Sequence, residues 1–479
     1  MQKVSCPSCG ALLTFKSHAS VMAVCSYCKS TVVKDADAVR DIGKMSSVLE
    51  DYSPLQVGTS GIFGGQSFTL IGRIQLRYDA GLWNEWHAMF DDGHTGWLSE
   101  AGGLYTLTLE KPYAEALPAF SQVRAGERYE LFGQAYVAAD VRSARCVAGE
   151  GELPFKVGAG WQISTVDLRS GRSFITLDYS EGAVPTVYAG QAVTLGELKC
   201  ALLRDDGSVM DSAGAYRRKV EALNCPSCGT AIPFVPGATR QLVCPGCRAT
   251  IDASTTVAEI DQAAVRVKNC ATTLELGASA NIDGTAFQLI GALKQRDDEG
   301  SVWTEYLLYS PRAGFLWLIE TDEGWWRAKV HEDWPVWRGG PNLMASDVNF
   351  SKLYEYDAHV VCAVGAFNWQ VKAGDAAHVV EFESGNKRMA LEASAAELNW
   401  TWAVKVGADQ IRAWFGQDIK ASKLPPKTDI MKIARYFLWG LMGFNFIPLV
   451  LQFDRTWHYS AFGAAAIWLP ARIMRWMQD

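Results

Sequence analysis

The sequence predicts a mainly β protein built from two repeated units, each a four-cysteine ribbon followed by small antiparallel β-barrel or β-sandwich modules, with an α-helical hairpin at the C-terminal end. Three observations support this fold class. A cysteine pattern occurs twice, a longer repeat follows each copy, and the C-terminal tail is apolar. The predicted ribbons span 1–34 and 220–253, the β units 35–215 and 254–418, and the helical hairpin 430–479.

The ribbons are predicted from two copies of a paired Cys-x-x-Cys pattern. In both copies the second pair begins 16 positions after the first pair ends. This pattern is typical of a zinc ribbon, in which four thiolates hold a tetrahedral ion and leave no open position for a substrate. We therefore predict two zinc ions per chain, without catalytic water, held by Cys6, Cys9, Cys25 and Cys28 and by Cys225, Cys228, Cys244 and Cys247.

Composition narrows the class of protein. The chain has 479 residues, of which 49% are hydrophobic and 20% charged, so it is long enough for about two to four domains with apolar cores. A net charge of −7 provides no basic field for nucleic acid.

The N-terminus lacks the apolar stretch of a secretory signal peptide. Because the remaining cysteines show no pairing pattern, we expect a reducing compartment and no disulfide framework among Cys146, Cys200, Cys270 and Cys362.

The repeat continues past the ribbons for about 200 residues, which is the scale of a duplicated structural unit. FTLIG at 68–72 matches FQLIG at 287–291, and GELPF at 151–155 matches GAFNW at 365–369. Apolar residues alternate within these segments with a period of two, as expected for half-buried strands. The Asp-Gly pair in the segment at 91–94 predicts a hairpin turn.

The C-terminal tail is predicted to be a membrane hairpin. Residues 436–453 contain no charge, and a second apolar run follows at 457–471. Eighteen helical residues span about 27 Å, close to the ~30 Å hydrocarbon thickness of a bilayer. Basic residues flank both ends, so both ends are expected in the cytoplasm and the hairpin in the bacterial inner membrane. The alternatives are a buried helical hairpin and a membrane-surface segment.

Four carboxylates of the first unit have carboxylate counterparts in the second. An acidic groove for a cation would explain this pattern, and solvated strand positions or turn hydrogen bonds would explain it equally. The predicted groove residues are Glu85, Glu100, Glu305 and Glu320, and the other two pairs are Asp167 with Glu381 and Asp178 with Glu392. No nucleophile elbow, phosphate loop or dinucleotide fingerprint occurs, so we predict no catalytic residue.

The segments GWLSE at 96–100 and GELPF at 151–155, with ribbons that open CPSCG, resemble an uncharacterised bacterial family, domain-of-unknown-function family 4178. The resemblance covers residues 1–418, and the second copy departs from it with LWLIE at 316–320. It implies a β-rich domain that is often joined to zinc ribbons and membrane helices. Members are encoded near phage-shock-type membrane proteins and polyamine enzymes, which implies an envelope-associated accessory role and no assigned activity.

Together these patterns predict a membrane-anchored, non-enzymatic zinc-ribbon scaffold or sensor in an envelope-associated, stress-type system. We expect it to bind protein partners at the inner membrane and to be able to form a homo-oligomer. One alternative is an enzyme or binder that acts on cationic small molecules such as polyamines, through Glu100 and Glu320. The other alternative is nucleic-acid binding by the zinc ribbons.

Overall fold

The computed structural model divides the chain into two compact bodies, Met1–Ile419 and Lys420–Asp479. It describes residues 2–16, 20, 22–28, 30–35, 38–44, 53–78, 81–101, 103–155, 161–205, 223–232, 241–247, 249–252, 259–262, 270–310, 313–369, 371–416 and 430–478. The first body contains the two repeated units, and the predicted mainly β, repeated fold is confirmed.

The strands of unit 1 fall into a ribbon part and a larger sheet. The ribbon part comprises β1 (Gln2–Ser5), β2 (Leu12–Phe15), β3 (Met22–Val24), β4 (Ser30–Asp35) and β5 (Ala38–Lys44). The strands that follow are β6 (Ser60–Phe63), β7 (Gln66–Tyr78), β8 (Gly81–Phe90), β9 (Thr95–Ala101), β10 (Leu104–Glu110), β11 (Arg128–Leu131), β12 (Gln134–Leu153), β13 (Gln162–Ser170), β14 (Ser173–Asp178) and β15 (Thr186–Val193). A short 3-10 helix covers Phe120–Gln122.

Unit 2 repeats this order. Its ribbon part comprises β16 (Leu223–Asn224), β17 (Ala231–Ile232), β18 (Gln241–Val243), β19 (Thr250–Asp252) and β20 (Glu259–Gln262). The strands that follow are β21 (Ser279–Ile282), β22 (Thr285–Arg296), β23 (Val302–Ser310), β24 (Gly314–Thr321), β25 (Gly324–Val330), β26 (Asn342–Ala345), β27 (Val348–Phe367), β28 (Ala376–Ser384), β29 (Lys387–Ala393) and β30 (Leu398–Val406).

Eight antiparallel strands of each unit close into a ring. Ring 1 has the order β7-β8-β9-β10-β15-β14-β13-β12, and β12 pairs with β7 to close it. Ring 2 has the same order fifteen strands later, β22-β23-β24-β25-β30-β29-β28-β27, and β27 pairs with β22. The predicted turn at 91–94 joins β8 to β9. The duplication therefore extends from sequence motifs to complete topology.

Repeated glycines allow each ring to close. At Gly72 of β7, an added Cβ would lie 1.9 Å from the carbonyl oxygen of Glu152 on β12, and at Gly291 it would lie 2.4 Å from that of Ala366. Only glycine permits such a close backbone approach. Glycine is therefore required as the last residue of both FTLIG and FQLIG, because the backbones of two strands approach closely there.

The two units contact each other through non-equivalent surfaces. The backbone N–H of Trp334 in unit 2 donates to the carbonyl oxygen of Gly171 at a hairpin tip of unit 1, at 3.1 Å. The N–H of Val141 on β12 donates to the carbonyl oxygen of Ala396 at 3.0 Å. The guanidinium of Arg169 lies 4.8 Å from the centre of the Trp334 ring. Loops of unit 2 thus cover one end of ring 1 in a heterologous, head-to-tail arrangement.

One disulfide corrects a prediction from the sequence. Cys270 and Cys362 are bonded, with their Cα atoms 6.1 Å apart, and 92 positions separate them in the chain. The expectation that these two cysteines are unpaired is wrong, because their pairing depends on the long-range approach of β27 to the segment before β21. Cys146 and Cys200 are free thiols.

Three α-helices follow the strands in the described residues. They are α1 (Ala408–Phe415), α2 (Ile430–Leu451) and α3 (Phe453–Gln478). Helix α1 ends at Gly416, whose φ of +62° suits a glycine cap. In the second body, α2 and α3 pack together, and Gly463 lies against Leu441. The predicted helical hairpin is therefore present.

The predicted inner-membrane localisation is wrong. Across the part of the chain that the structure describes, no helix is both long enough and apolar enough to cross a bilayer. The uncharged run that suggested a span includes Gly440, Gly443 and Asn445. Freedom from charge is a weaker property than the sustained high hydrophobicity that a spanning helix needs.

Candidate metal centres and an acidic ring interior

The eight ribbon cysteines form two separate clusters, one in each unit. Within each cluster the four sulfur atoms all lie within 4.8 Å of one another. The sulfur atoms of four pairs are 3.5 to 3.8 Å apart: Cys6 with Cys28, Cys9 with Cys25, Cys225 with Cys247, and Cys228 with Cys244. A tetrahedral ion with Zn–S distances of about 2.3 Å separates its sulfur ligands by about 3.8 Å. Each cluster could therefore hold one metal ion.

The local backbone of each cluster depends on the glycine that ends its CPSCG segment, at 6–10 and at 225–229. Gly10 and Gly229 adopt φ values of +78° and +75°, where side chains are disfavoured. This turn lets the N–H of Cys6 donate to the carbonyl oxygen of Ala11 at 2.8 Å, and the same bond forms at Cys225. The repeated sequence thus forms the same knuckle twice.

One cysteine of each cluster is already biased toward the thiolate. Hydrogen bonds from Ser30 lower the pKa of Cys28 to about 6, and those from Thr230 lower the pKa of Cys228 to about 6. Burial raises the pKa of Cys225 to about 12. Because the thiolate is the form that binds metal, an ion must displace the proton from that buried thiol.

Each ribbon is joined to its ring by strand pairing and a polar contact. Strand β3 pairs with β12, and β18 pairs with β27. In unit 1 the buried carboxylate of Glu152 accepts hydrogen bonds from the N–H of Lys16 and the hydroxyl of Ser20, both at 2.7 Å. In unit 2 the Nε2 of Gln241 instead donates to the carbonyl oxygen of Val371 at 2.6 Å. The ribbons are consequently fixed to the rings.

The two ribbons differ at their surfaces. Leu12 is 66% exposed and Tyr27 is 81% exposed. The equivalent positions of ribbon 2 are Ala231 and Gly246. Ribbon 1 therefore presents two large apolar side chains to solvent, at positions where ribbon 2 has almost no side chain.

The second candidate site lies inside the rings. Glu85, Asp167 and Asp178 lie on β8, β13 and β14, where pairing and alternation place them on one face of ring 1. Strands β8 and β14 are four strands apart in either direction around the ring, yet burial together with the charges of Asp167 and Asp178 raises the pKa of Glu85 to about 7. Side chains on opposite sides of a closed ring come within electrostatic range of each other only across its interior. This face is therefore the inner one.

Neutral donors hold two inner carboxylates of ring 1, those of Glu85 and Asp178. Glu85 accepts hydrogen bonds from the indole N–H of Trp83 at 2.7 Å and from the hydroxyl of Ser99 at 2.6 Å. Asp178 accepts a hydrogen bond from the backbone N–H of Ser180 at 2.8 Å. Burial raises the pKa of Asp178 as well. Both carboxylates keep partial solvent contact.

His87 lies beside Glu85 on the same inner face of β8 and is fully buried. Its Nδ1 is 3.0 Å from the carbonyl oxygen of Glu152, so Nδ1 carries the proton and Nε2 is an acceptor. Among the described residues that Nε2 has no hydrogen-bond partner. Burial lowers the pKa of His87 to about 4, which keeps the ring neutral. An unpaired buried acceptor costs about 1–3 kcal/mol.

Ring 2 has the equivalent carboxylates and an internal cation. Burial and the neighbouring charges of Glu305 and Glu381 raise the pKa of Glu392 to about 8. The guanidinium of Arg388, on the same face of β29 as Glu392, is 3.5 Å from Glu381 and lies 4.1 Å from the centre of the Trp326 ring. Ring 2 therefore supplies a counter-charge for Glu381, whereas Glu305 accepts hydrogen bonds from the neutral side chains of Trp303 and Gln295.

The structure separates the four glutamates of the predicted groove. Glu85 and Glu305 lie on the inner faces, and each accepts an indole hydrogen bond at 2.7 Å. Glu100 and Glu320 lie on the opposite, outer faces. The buried Glu100 accepts four hydrogen bonds, from Ser53, Asn84, Trp86 and Tyr105. Glu320 accepts hydrogen bonds from Thr273 and Tyr306. The outer pair thus serves the packing of flanking segments on the ring.

The sequence pattern alone does not single out His87 or Arg388. His87 follows Glu85 by two positions, and Arg388 precedes Glu392 by four. In a strand, residues two or four positions apart share a face. This even spacing along the strand is the sequence signal that could have placed His87 and Arg388 on the same face as the carboxylates.

Comparison with protein families gives two matches to one family, described as "Domain of unknown function (DUF4178)". The matched segments are residues 56–195 and 275–407. These segments contain the two rings and exclude the cysteine clusters and the C-terminal helices. No curated protein matches the chain.

Proposed function

This chain belongs to the DUF4178 family, and we propose that it acts as a non-catalytic, zinc-stapled scaffold that binds protein partners. The observation that carries the proposal is the closed set of four thiols in each ribbon, joined to its ring by strand pairing. Four thiolates complete a tetrahedral zinc ion, so the metal would have no position for a substrate. Zinc would instead stabilise ribbons that are too small to fold on an apolar core.

Ribbon 1 is the proposed partner-binding part. Leu12 and Tyr27 are exposed near the metal cluster, and a metal-held knuckle restricts their movement. Exposed aromatic and aliphatic side chains on a rigid support supply much of the energy in protein interfaces. Ribbon 2, with Ala231 and Gly246 at these positions, would contribute less to partner binding.

A double substitution tests this proposal. In the Leu12→Ala, Tyr27→Gly variant, ribbon 1 has the residues that ribbon 2 has at these two positions. We expect this variant to lose the protein partners that the wild-type chain captures from a lysate of its source cells. Ala231→Leu, which adds an exposed leucine to ribbon 2 and leaves Gly246 in place because a Cβ there would lie 2.5 Å from the Oγ1 of Thr230, is the control for surface apolarity.

Metal content is measured on the same samples. Two zinc ions per chain in the wild type and in both variants would support the zinc-stapled scaffold. Equal capture by the wild type and the Leu12→Ala, Tyr27→Gly variant would contradict the role of ribbon 1. A chain without bound zinc would contradict the stapling.

A further inference from the structure

We propose that the interior of ring 1 binds a small organic cation, with an amine or guanidinium group, through Glu85, Asp178 and His87. This inference is independent of the proposed scaffold function, because it concerns the ring and not the ribbons. It rests on carboxylates without a cation, a buried acceptor without a partner, and a cation that the chain itself places in the second ring.

The first observation is the missing counter-charge. In the described part of the chain, Glu85 and Asp178 form no ion pair, and the hydrogen-bond donors they meet are neutral groups. Two inner-face arginines come near Asp167 instead, and unit 2 engages both. Arg142 pairs with Asp140 and with Glu397 of unit 2, and Arg169 donates to the carbonyl oxygen of Glu332 at 3.3 Å.

The second observation is the unpartnered Nε2 of His87. Because Nδ1 donates to the carbonyl oxygen of Glu152, the remaining ring nitrogen can only accept a hydrogen bond. An ammonium or guanidinium group brings several N–H donors and no acceptors. One such group would therefore satisfy both the carboxylate of Glu85 and the imidazole beside it.

The third observation comes from ring 2, where Arg388 shows which chemistry this inner face accepts. Its guanidinium is 2.5 Å from Glu323 at the turn before β25, 3.3 Å from Glu383 and 3.5 Å from Glu381, and it stacks on Trp326. The equivalent residue of ring 1 is Phe174, and the equivalent of His87 in ring 2 is Leu307. The ring with the internal guanidinium thus lacks the free histidine acceptor, and the ring with the acceptor lacks that guanidinium.

The spacing of the acidic groups favours an organic cation over a metal ion. Among the described residues, only the two cysteine clusters bring three or more ligand atoms of His, Cys, Asp or Glu within 4.8 Å of one another. A divalent ion needs its oxygen ligands at about 2.0–2.6 Å. Separated carboxylates instead match a molecule whose N–H donors are themselves spread over several ångströms.

Calorimetric titration of the full-length chain tests the proposal, with agmatine as the probe and the uncharged 4-hydroxybutylurea as its comparator. We expect one agmatine per wild-type chain and no heat from the urea. Glu85→Gln and Asp178→Asn should each weaken binding at least tenfold, and His87→Leu, which installs the ring 2 residue, should also weaken it. Glu275→Gln, at an exposed position outside the ring, is the matched loss of one carboxylate and should leave binding unchanged.

Arg388→Ala combined with Leu307→His provides a gain-of-binding arm. This variant loses the internal guanidinium and gains the imidazole that ring 1 has, so the stoichiometry should rise from one to two, and agmatine should raise the melting temperature of this variant more than that of the wild type. Absence of binding to the wild type would overturn the proposal. So would equal affinity in the Glu85→Gln variant, whose melting temperature and zinc content show whether it is folded.

Discussion

Rings 1 and 2 share their strand order and three inner carboxylate positions, but they balance the negative charge differently. Ring 2 uses Arg388, which lies within the ring against Glu381 and Trp326. In ring 1, Arg142 and Arg169 lie near Asp167, at the end that unit 2 covers. Among the described residues, Glu85 of ring 1 and Glu305 of ring 2 both accept hydrogen bonds from neutral groups. The comparison teaches that the topology fixes where the acidic groups lie, whereas individual side chains decide which strand supplies the cation.

The largest expected effect concerns a feature that the units share. Cys25→Ser and Cys244→Ser should each reduce zinc from two ions to one per chain, because each removes one of four ligands in a separate cluster. Apparent zinc-binding energies of such sites are on the order of 10 kcal/mol, so the altered ribbon should unfold. Elemental analysis and hydrogen exchange, resolved for β3 and β18, measure both outcomes.

The control for the metal prediction is built into the pair of variants. Each variant should lose protection only in its own ribbon. Loss of both ions from either variant would show that the two clusters are coupled. It would contradict the interpretation that the two ribbons are independent modules.

A smaller effect should distinguish the units, because only unit 2 has a described disulfide. Replacing Cys270 and Cys362 together with alanine removes a cross-link that closes a loop of about 90 residues, which should lower the stability of unit 2 by about 2–4 kcal/mol. Hydrogen exchange should show faster opening in β27 and unchanged opening in β12. Cys146→Ala is the control for losing a buried thiol, and equal effects on both units would contradict the prediction.

The smallest effect is a pH dependence that differs between the rings. The pKa of Glu85 is raised from 4.5 to about 7, so the folded state holds its proton more tightly than the unfolded state does. Its contribution to stability is therefore fully present below pH 4.5 and is lost as the pH rises toward 7, by about 1–3 kcal/mol. The loss for Glu392 should extend to about pH 8. Urea unfolding at pH 5, 7 and 8 measures both.

Glutamine variants isolate these two contributions from all other titrating groups. Glu85→Gln should flatten the pH dependence of ring 1 between pH 5 and 7, and Glu392→Gln should flatten that of ring 2 up to pH 8. A wild-type pH dependence that persists unchanged in both variants would show that these carboxyls do not cause it.

Local patterns made much of the fold predictable. The ribbon knuckles and the turn at 91–94 depend on residues that are close in the chain, so their sequence signals are direct. Closure of the ring depends on β12 meeting β7, with Cys146 opposite Leu76, and no short segment reveals that pairing. The Cys270–Cys362 bond was not predicted for the same reason, because its two cysteines are far apart in the chain.

The candidate sites show a similar division. The cysteine spacing alone indicated which eight side chains converge. For the carboxylates, the repeat identified the positions but not the face of the ring on which each side chain lies. Glu85 and Glu100 were therefore assigned to one groove. Glu85 pairs with Ser99, and strand alternation therefore turns Glu100 to the other side. Only knowledge of the register separates the inner group from the outer one.

The head-to-tail contact between the units has a consequence for folding during synthesis. Ring 1 has all its strands once Val193 has emerged, but the residues that cover its arginine end, Trp334 and Ala396, are made much later. At about 5–20 residues per second, the roughly 200 intervening residues take about 10–40 s. During that interval Arg142 lacks Glu397 and Arg169 lacks Trp334, so the second unit completes the contacts of the first ring only after all strands of that ring have been made.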